Sequence, residues 1–220
     1  MLVLVLAAWA LVRGGQTPKS ADASRTTPPS ASPAATAHAA PSAPASGESI
    51  PHASTTGAYD PAAYAPQVRT HAAHADVDPK LLMAVLYNES YKPHDPELER
   101  AWQRYKPDAA FGIANMHRAA FDETKRRHDF TNRRWEELPD DQNLAIEAAA
   151  WHLHDLAAQL PTRRPGMYTT SELLALGYNT GSGNMLAFAR GAHPGSQAQS
   201  YLDRLHANWA KAGKAMSAQP

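Results

Sequence analysis

From Tyr59 onward the apolar positions recur with a helical period, and no stretch alternates apolar and polar residues as a half-buried strand would. Asp60-Pro61 opens a first helix, expected to run to about Ala75. Asp78-Pro79 repeats that signal, with Asp as N-cap and Pro at the first helical position. The helix behind it carries LLMAVLYNES to about Ser90. Residues 91–110 contain Pro93, Pro96 and Pro107 and read as a loop with room for one short helix. Helical spacing returns over Phe111–His128. Over Pro139–Leu160 a stripe of Ile146, Ala149, Ala150, Leu153, Leu156, Ala157 and Leu160 predicts a long helix, which Pro161 stops. Thr170 or Ser171 caps another helix, SELLALGYN, ended by Gly181-Ser182-Gly183. A short helix is expected over 184–190. A last one, Ser196–Lys211, has Tyr201, Leu202, Leu205 and Trp209 on one face. The pattern predicts a compact all-α domain over residues 59–213, followed by a flexible tail over 214–220.

Composition divides the rest of the 220 residues. Leu2–Val12 reads LVLVLAAWALV, the length of a signal-peptide core and short of the roughly 20 residues that span a bilayer. No basic residue precedes the run, Arg13 follows it, and no small-x-small cleavage site lies directly after it. Residues 1–15 are therefore expected to be an export signal or a membrane anchor. Residues 16–58 are rich in Pro, Ala, Ser and Thr and nearly lack large apolar side chains. Such a stretch builds no core and is expected to be a disordered linker. Its ends would lie about 35–40 Å apart as a flexible chain. Together these segments describe a domain tethered outside the cytoplasm.

Charge and cysteine count narrow the chemistry. The 21 basic and 21 acidic residues balance, so no charge excess points to nucleic acid or an anionic membrane as partner. There is no cysteine. Disulfides, a thiolate nucleophile and a cysteine-ligated metal are excluded.

One acid interrupts an apolar face. Leu82, Val85 and Leu86 form a stripe on the second helix, and the next position of that stripe is Glu89. It lies in the last turn, where the helix dipole disfavours negative charge. Burial and the helix end both favour its neutral form, as a general acid requires. Position alone favours a Glu turned to solvent or paired with Lys92.

Three blocks add to that position. Asn88-Glu89-Ser90 closes the helix that begins DPKLLMAV. Ala110-Phe111-Gly112-Ile113-Ala114-Asn115-Met116 follows, then Leu176-Gly177-Tyr178-Asn179-Thr180-Gly181-Ser182-Gly183, and the C-terminal helix holds Ser200-Tyr201-Leu202. In this order they resemble the soluble lytic transglycosylase family of lysozyme-like domains, with its acid-serine pair, Gly-Leu-Met-Gln block and Ala-Tyr-Asn-x-Gly block. The resemblance spans about residues 62–212. It implies helices packed around a glycan groove and no cofactor. It implies cleavage of the β-1,4 bond between N-acetylmuramic acid and N-acetylglucosamine, leaving 1,6-anhydromuramic ends. Glu89 matches the catalytic acid. Ser90, Gly112, Ile113, Asn115, Tyr178, Asn179 and Gly181 match residues that border the acid or line the groove. The implied partner is the peptidoglycan glycan strand, and the domain is expected to act as a monomer at the cell wall. The chain departs from the pattern at Ala114, Asn115 and Gly177, where the family has Met, Gln and Ala, and its loop from Glu89 to Gly112 is longer than usual. Shortening Gln to Asn115 would move a hydrogen bond to sugar by about an ångström.

Other arrangements stay open at this point. Asp95, Glu97, Glu99 or Asp108 could supply a second carboxylate beside Glu89, which would favour hydrolysis as in a lysozyme. A wall-binding domain without activity is a third reading. His152 and His154 are two apart on a helix and face opposite ways, and His71 with His74 gives only two ligands, so no metal site is expected. Trp102, Tyr105 and Trp135 either stack on sugar rings or pack in the core.

Overall fold

A computed structural model describes residues 59–91 and 94–218. The expected export segment, the linker and Lys92 lie outside the described residues. The described chain is built of helices. After a 3-10 turn at Pro61–Tyr64 come α1 (Ala65–His74), α2 (Pro79–Glu89) and α3 (Pro96–Tyr105). A minimal hairpin, β1 (Ala110–Phe111) and β2 (Met116–His117), leads into α4 (Arg118–Lys125). Then follow α5 (Gln142–Gln159), α6 (Thr170–Thr180), α7 (Ser182–Ala189) and α8 (Ser196–Ser217). None of these helices is long and apolar enough to cross a membrane.

Start and stop chemistry explains most boundaries. The Asp60, Asp78 and Asp95 side chains each accept from backbone N–H groups of the turn they open, with Pro behind each Asp. Asp141 caps α5 through the Leu144 N–H, and Leu160, held extended before Pro161, ends it. Thr169 caps α6 in a reciprocal box with Glu172. Thr169 thus takes the role expected of Thr170 or Ser171.

Two expectations need correction. The helix expected over Phe111–His128 begins only at Arg118. Gly112 and Asn115 have φ of +73° and +48°, which turn the chain back on itself and pair Phe111 with Met116. The flexible tail expected from residue 214 starts too early, because α8 continues to Ser217. Ala215 is buried there, and the Arg69 guanidinium donates to the carbonyls of Ala215, Met216 and Ala218. Those bonds satisfy the last-turn acceptors that a helix end leaves open.

α2 is the centre of the packing. Every side chain from Leu81 to Glu89 is buried, so this helix is enclosed all round and not only along one stripe. Each buried Leu or Val there stabilises the fold by about 1.5–3 kcal/mol before entropy is counted. α8 lies along it. Lys80 sits over the Trp209 ring and Lys211 over the Tyr87 ring, so cation–aromatic contacts close both edges of the pair.

Candidate active site

The α2–α8 contact places a carboxyl group in the protein interior. Glu89, the last residue of α2, is 8% exposed. Tyr201 of α8 donates its phenol O–H to Glu89 Oε1 at 2.9 Å. From the other side the Asn115 amide donates to Oε2 at 2.9 Å. Both carboxyl oxygens are thus held in place by neutral donors from two separate elements.

The preceding residue fixes the phenol. Asn88 donates to the Tyr201 carbonyl at 3.1 Å and accepts from Asn208 at 2.8 Å. Adjacent residues of α2 therefore hold both ends of Tyr201. Burial, then the charge of Glu89, pushes the Tyr201 phenol well above its ordinary range. It is therefore a neutral donor at neutral pH.

Asn115 arrives on the hairpin turn. Its N–H closes the turn on the Gly112 carbonyl at 2.8 Å, and its own backbone is left-handed, which Asn tolerates better than Gln. Gly112 is required twice over. Its φ is positive, and a Cβ would meet the Leu138 carbonyl oxygen at 2.8 Å. The turn is clamped from outside: the Gly112 N–H donates to Glu99 Oε2 at 2.9 Å, and the Tyr178 O–H donates to the Ala114 carbonyl at 2.8 Å. Burial and the charge of Glu89 raise the Tyr178 phenol as well. Its ring meets His152 edge-on at 5.5 Å, and burial holds that imidazole below its ordinary range, in the neutral form.

The expected site residues divide accordingly. Glu89, Asn115 and Tyr178 converge. Ile113 does not line a groove: it is 2% exposed, because the turn packs inward against the core. Gly112 is buried and serves the turn. Ser90 caps α2, donating its hydroxyl to the Tyr87 carbonyl at 2.9 Å. Asn179 is exposed. Gly181 joins α6 to α7 with φ +85° and ψ 161°, a conformation open essentially to Gly alone. The departure at Gly177 has a packing cause, since a Cβ there would meet Met185 Sδ at 2.8 Å.

The other candidates are occupied elsewhere. Asp95 caps α3. Glu99 holds the Gly112 N–H and His94, and Glu97 and Asp108 are exposed. His152 faces Thr124 and His154 the Ala75 carbonyl, on separate elements. Trp135 is core, donating to the Met116 carbonyl with its ring edge-on to Phe111. Sequence reasoning placed Tyr201 on a core face and missed its hydroxyl. The signal was available, because a phenol on an apolar stripe needs a polar partner.

A buried carboxyl held by two donors at a helix end, beside a clamped turn and a second tyrosine, is suited to proton transfer. No curated protein and no solved structure matches the chain. A family model described as "Transglycosylase SLT domain" matches residues 67–200, which contain Glu89, the turn and Tyr178. The chain belongs to the transglycosylase SLT domain family, whose function is of the lytic transglycosylase type and directed at peptidoglycan.

Proposed function

We propose that this domain is a lytic transglycosylase that cleaves the β-1,4 bond between N-acetylmuramic acid and N-acetylglucosamine and leaves 1,6-anhydromuramic ends. Glu89 is the acid and then the base. Its proton passes to the glycosidic oxygen as the bond from the muramic C1 to that oxygen breaks. The resulting carboxylate then takes the proton of the muramic 6-hydroxyl as that oxygen bonds to C1. The proton count closes on Glu89, and no water is consumed.

The observation that carries this reading is the pair of donors on Glu89. A group that alternates between acid and base needs surroundings that tolerate both states. Tyr201 supports this because a phenol oxygen both donates and accepts. Asn115 and Tyr201 are positioning residues that keep the carboxyl aimed. Tyr178 steadies the turn through the Ala114 carbonyl. The family resemblance assigns Ser90, Asn179 and Gly181 to the border of the site, and the Asn179 side chain is exposed.

A peptidoglycan substrate implies action outside the cytoplasm. We infer that the chain works there as a monomer, exported or anchored through its apolar first residues. Digestion of purified cell wall by the full chain, followed by mass analysis of the fragments, tests the chemistry. Anhydro ends are expected. Reducing ends that carry an added water would replace this reading with a hydrolytic muramidase. Binding without release would replace it with a wall-binding module. Glu89→Gln keeps the shape and is expected to abolish release.

A further inference from the structure

Among the described residues five large apolar side chains stand exposed, and four lie between Glu89 and Gly112: Tyr91, Leu98, Trp102 and Tyr105. Small domains rarely gather such residues on the surface without a use for them. The last three lie on α3 at positions i, i+4 and i+7, so they form one stripe, 65%, 57% and 77% exposed.

The helix is held by its inner face. Glu99 accepts the Gly112 N–H and meets His94 Nδ1 at 3.0 Å, and the Gln103 amide donates to the Trp135 carbonyl. Glu99 is the neighbour of Leu98 and touches the turn that carries Asn115 to Glu89. The helix that carries the stripe is therefore fixed to the turn of the candidate active site, with the stripe on its exposed side.

We propose that Leu98, Trp102 and Tyr105 form a polysaccharide-binding platform, which takes the glycan strand as it leaves the bond held at Glu89. This rests on reading Glu89 as the acid that cuts a glycan. A pyranose ring presents an apolar face of C–H groups, which lies flat on an exposed aromatic ring. Leu98 and Tyr105 are seven residues apart, about 10 Å along the helix. That leaves room for two sugar rings in a row. A lipid surface fits less well. α3 sets Glu97 and Glu99 against Arg100 and Arg104, with Asp95 at its cap, so it carries no basic excess to draw it to anionic lipid.

The full chain carrying Trp102→Ala and Tyr105→Ala, compared with wild type and with the Trp102→Phe and Tyr105→Phe pair, tests the platform. Both residues are exposed, and unchanged thermal melting serves as the control for folding. The readouts are co-sedimentation with purified cell wall, the wall concentration giving half-maximal fragment release, and co-sedimentation with anionic phospholipid vesicles. The alanine pair is expected to weaken wall binding and to raise the half-saturating concentration about tenfold, as loss of aromatic stacking does elsewhere. The phenylalanine pair is expected to restore most of both. Wall binding and half-saturation unchanged in the alanine pair would overturn the proposal. So would wild-type binding to vesicles that the alanine pair loses. A wild-type chain that binds wall and releases no fragments would instead sink the enzymatic reading, while sedimentation still reports on the stripe.

Discussion

Tyr201 donates its phenol O–H to Oε1 of Glu89 at 2.9 Å, across 112 positions of the sequence. The bond crosses from α8 to the end of α2, so the acid is aimed by the same helix contact that builds the core. Tyr201→Phe keeps the ring and removes the donor. The variant is expected to fold. Its turnover on purified wall should fall about tenfold to a hundredfold, the weight of a hydrogen bond to a charged group, about 1.5–3 kcal/mol. Fragment release by wild type and variant, measured at matched thermal stability, checks this. Equal turnover would remove Tyr201 from the site.

Tyr178 and Tyr201, with the likewise raised Tyr59 and Tyr87, make alkaline stability a second readout. Tyr178 and Tyr201 are both raised well above 10 in the folded chain, by burial first and then by the charge of Glu89. An unfolded Tyr releases its proton near pH 10. Below that pH neither state ionises and the contribution is fully present. Above it the unfolded state binds fewer protons than the folded one, so stability falls as pH rises. Each phenol should remove about 1.4 kcal/mol per pH unit above 10. Urea melts between pH 8 and 11 are expected to stay level to about 10 and then drop. The drop should be shallower in Tyr201→Phe. Tyrosinate absorbance appearing well before unfolding would contradict the burial argument.

How far the sequence discloses this site depends on the kind of signal. α2 is legible because its cap and period agree, and α5 because its period runs to the stop at Pro161. Glu89 is legible because a carboxylate breaks an apolar stripe. The hairpin at Ala110–His117 is not, because Ile113, Met116 and Ala120 keep a spacing that suits a helix. Only the left-handed backbone at Gly112 and Asn115 shows that the chain reverses. The bond from Tyr201 is hidden for the opposite reason: its ring satisfies the apolar face of α8, and that face gives no sign of where the hydroxyl goes. The partner of Glu89 comes from 112 residues away, and no local pattern reports a pairing at that distance.

Asn115 illustrates how a departure from the family pattern reads differently in three dimensions. From sequence, Asn in place of Gln predicts a weakened contact with sugar. In the structure the Asn115 amide contacts Glu89, from a residue with φ of +48°. Asn115→Gln is therefore expected to lower activity, although it restores the family's residue. A longer side chain carries the amide about an ångström past the carboxylate. The left-handed backbone also costs Gln about 1 kcal/mol, or about 2–4 °C in melting temperature for a domain of this size. Asn115→Gly separates the two effects, keeping the turn while removing the amide. Turnover should fall about tenfold in both variants, with melting lowered only in Asn115→Gln. A Gln variant as active as wild type would refute this assignment.

Glu99 is the remaining carboxylate that bears on mechanism. A glycosidase of the two-carboxylate kind needs its second acid in the groove, about 5–9.5 Å from the first. Glu99 instead spends Oε2 on the Gly112 N–H at 2.9 Å and Oε1 on His94 at 3.0 Å. One contact holds the turn and the other holds the loop ahead of α3, which makes it a positioning residue acting through Asn115. Glu99→Gln keeps an oxygen to accept the Gly112 N–H and loses the charge. If Glu99 only clamps the turn, this variant should retain activity within about tenfold of wild type, still yielding anhydro ends. Glu99→Ala frees the turn and should fall further, with lower thermal stability. If Glu99 were a general base for water, Glu99→Gln would lose activity as completely as Glu89→Gln, and the wild-type fragments would carry reducing ends. Fragment masses and rates for the three variants on one wall preparation separate these cases. The contacts to Gly112 and His94 favour the clamp.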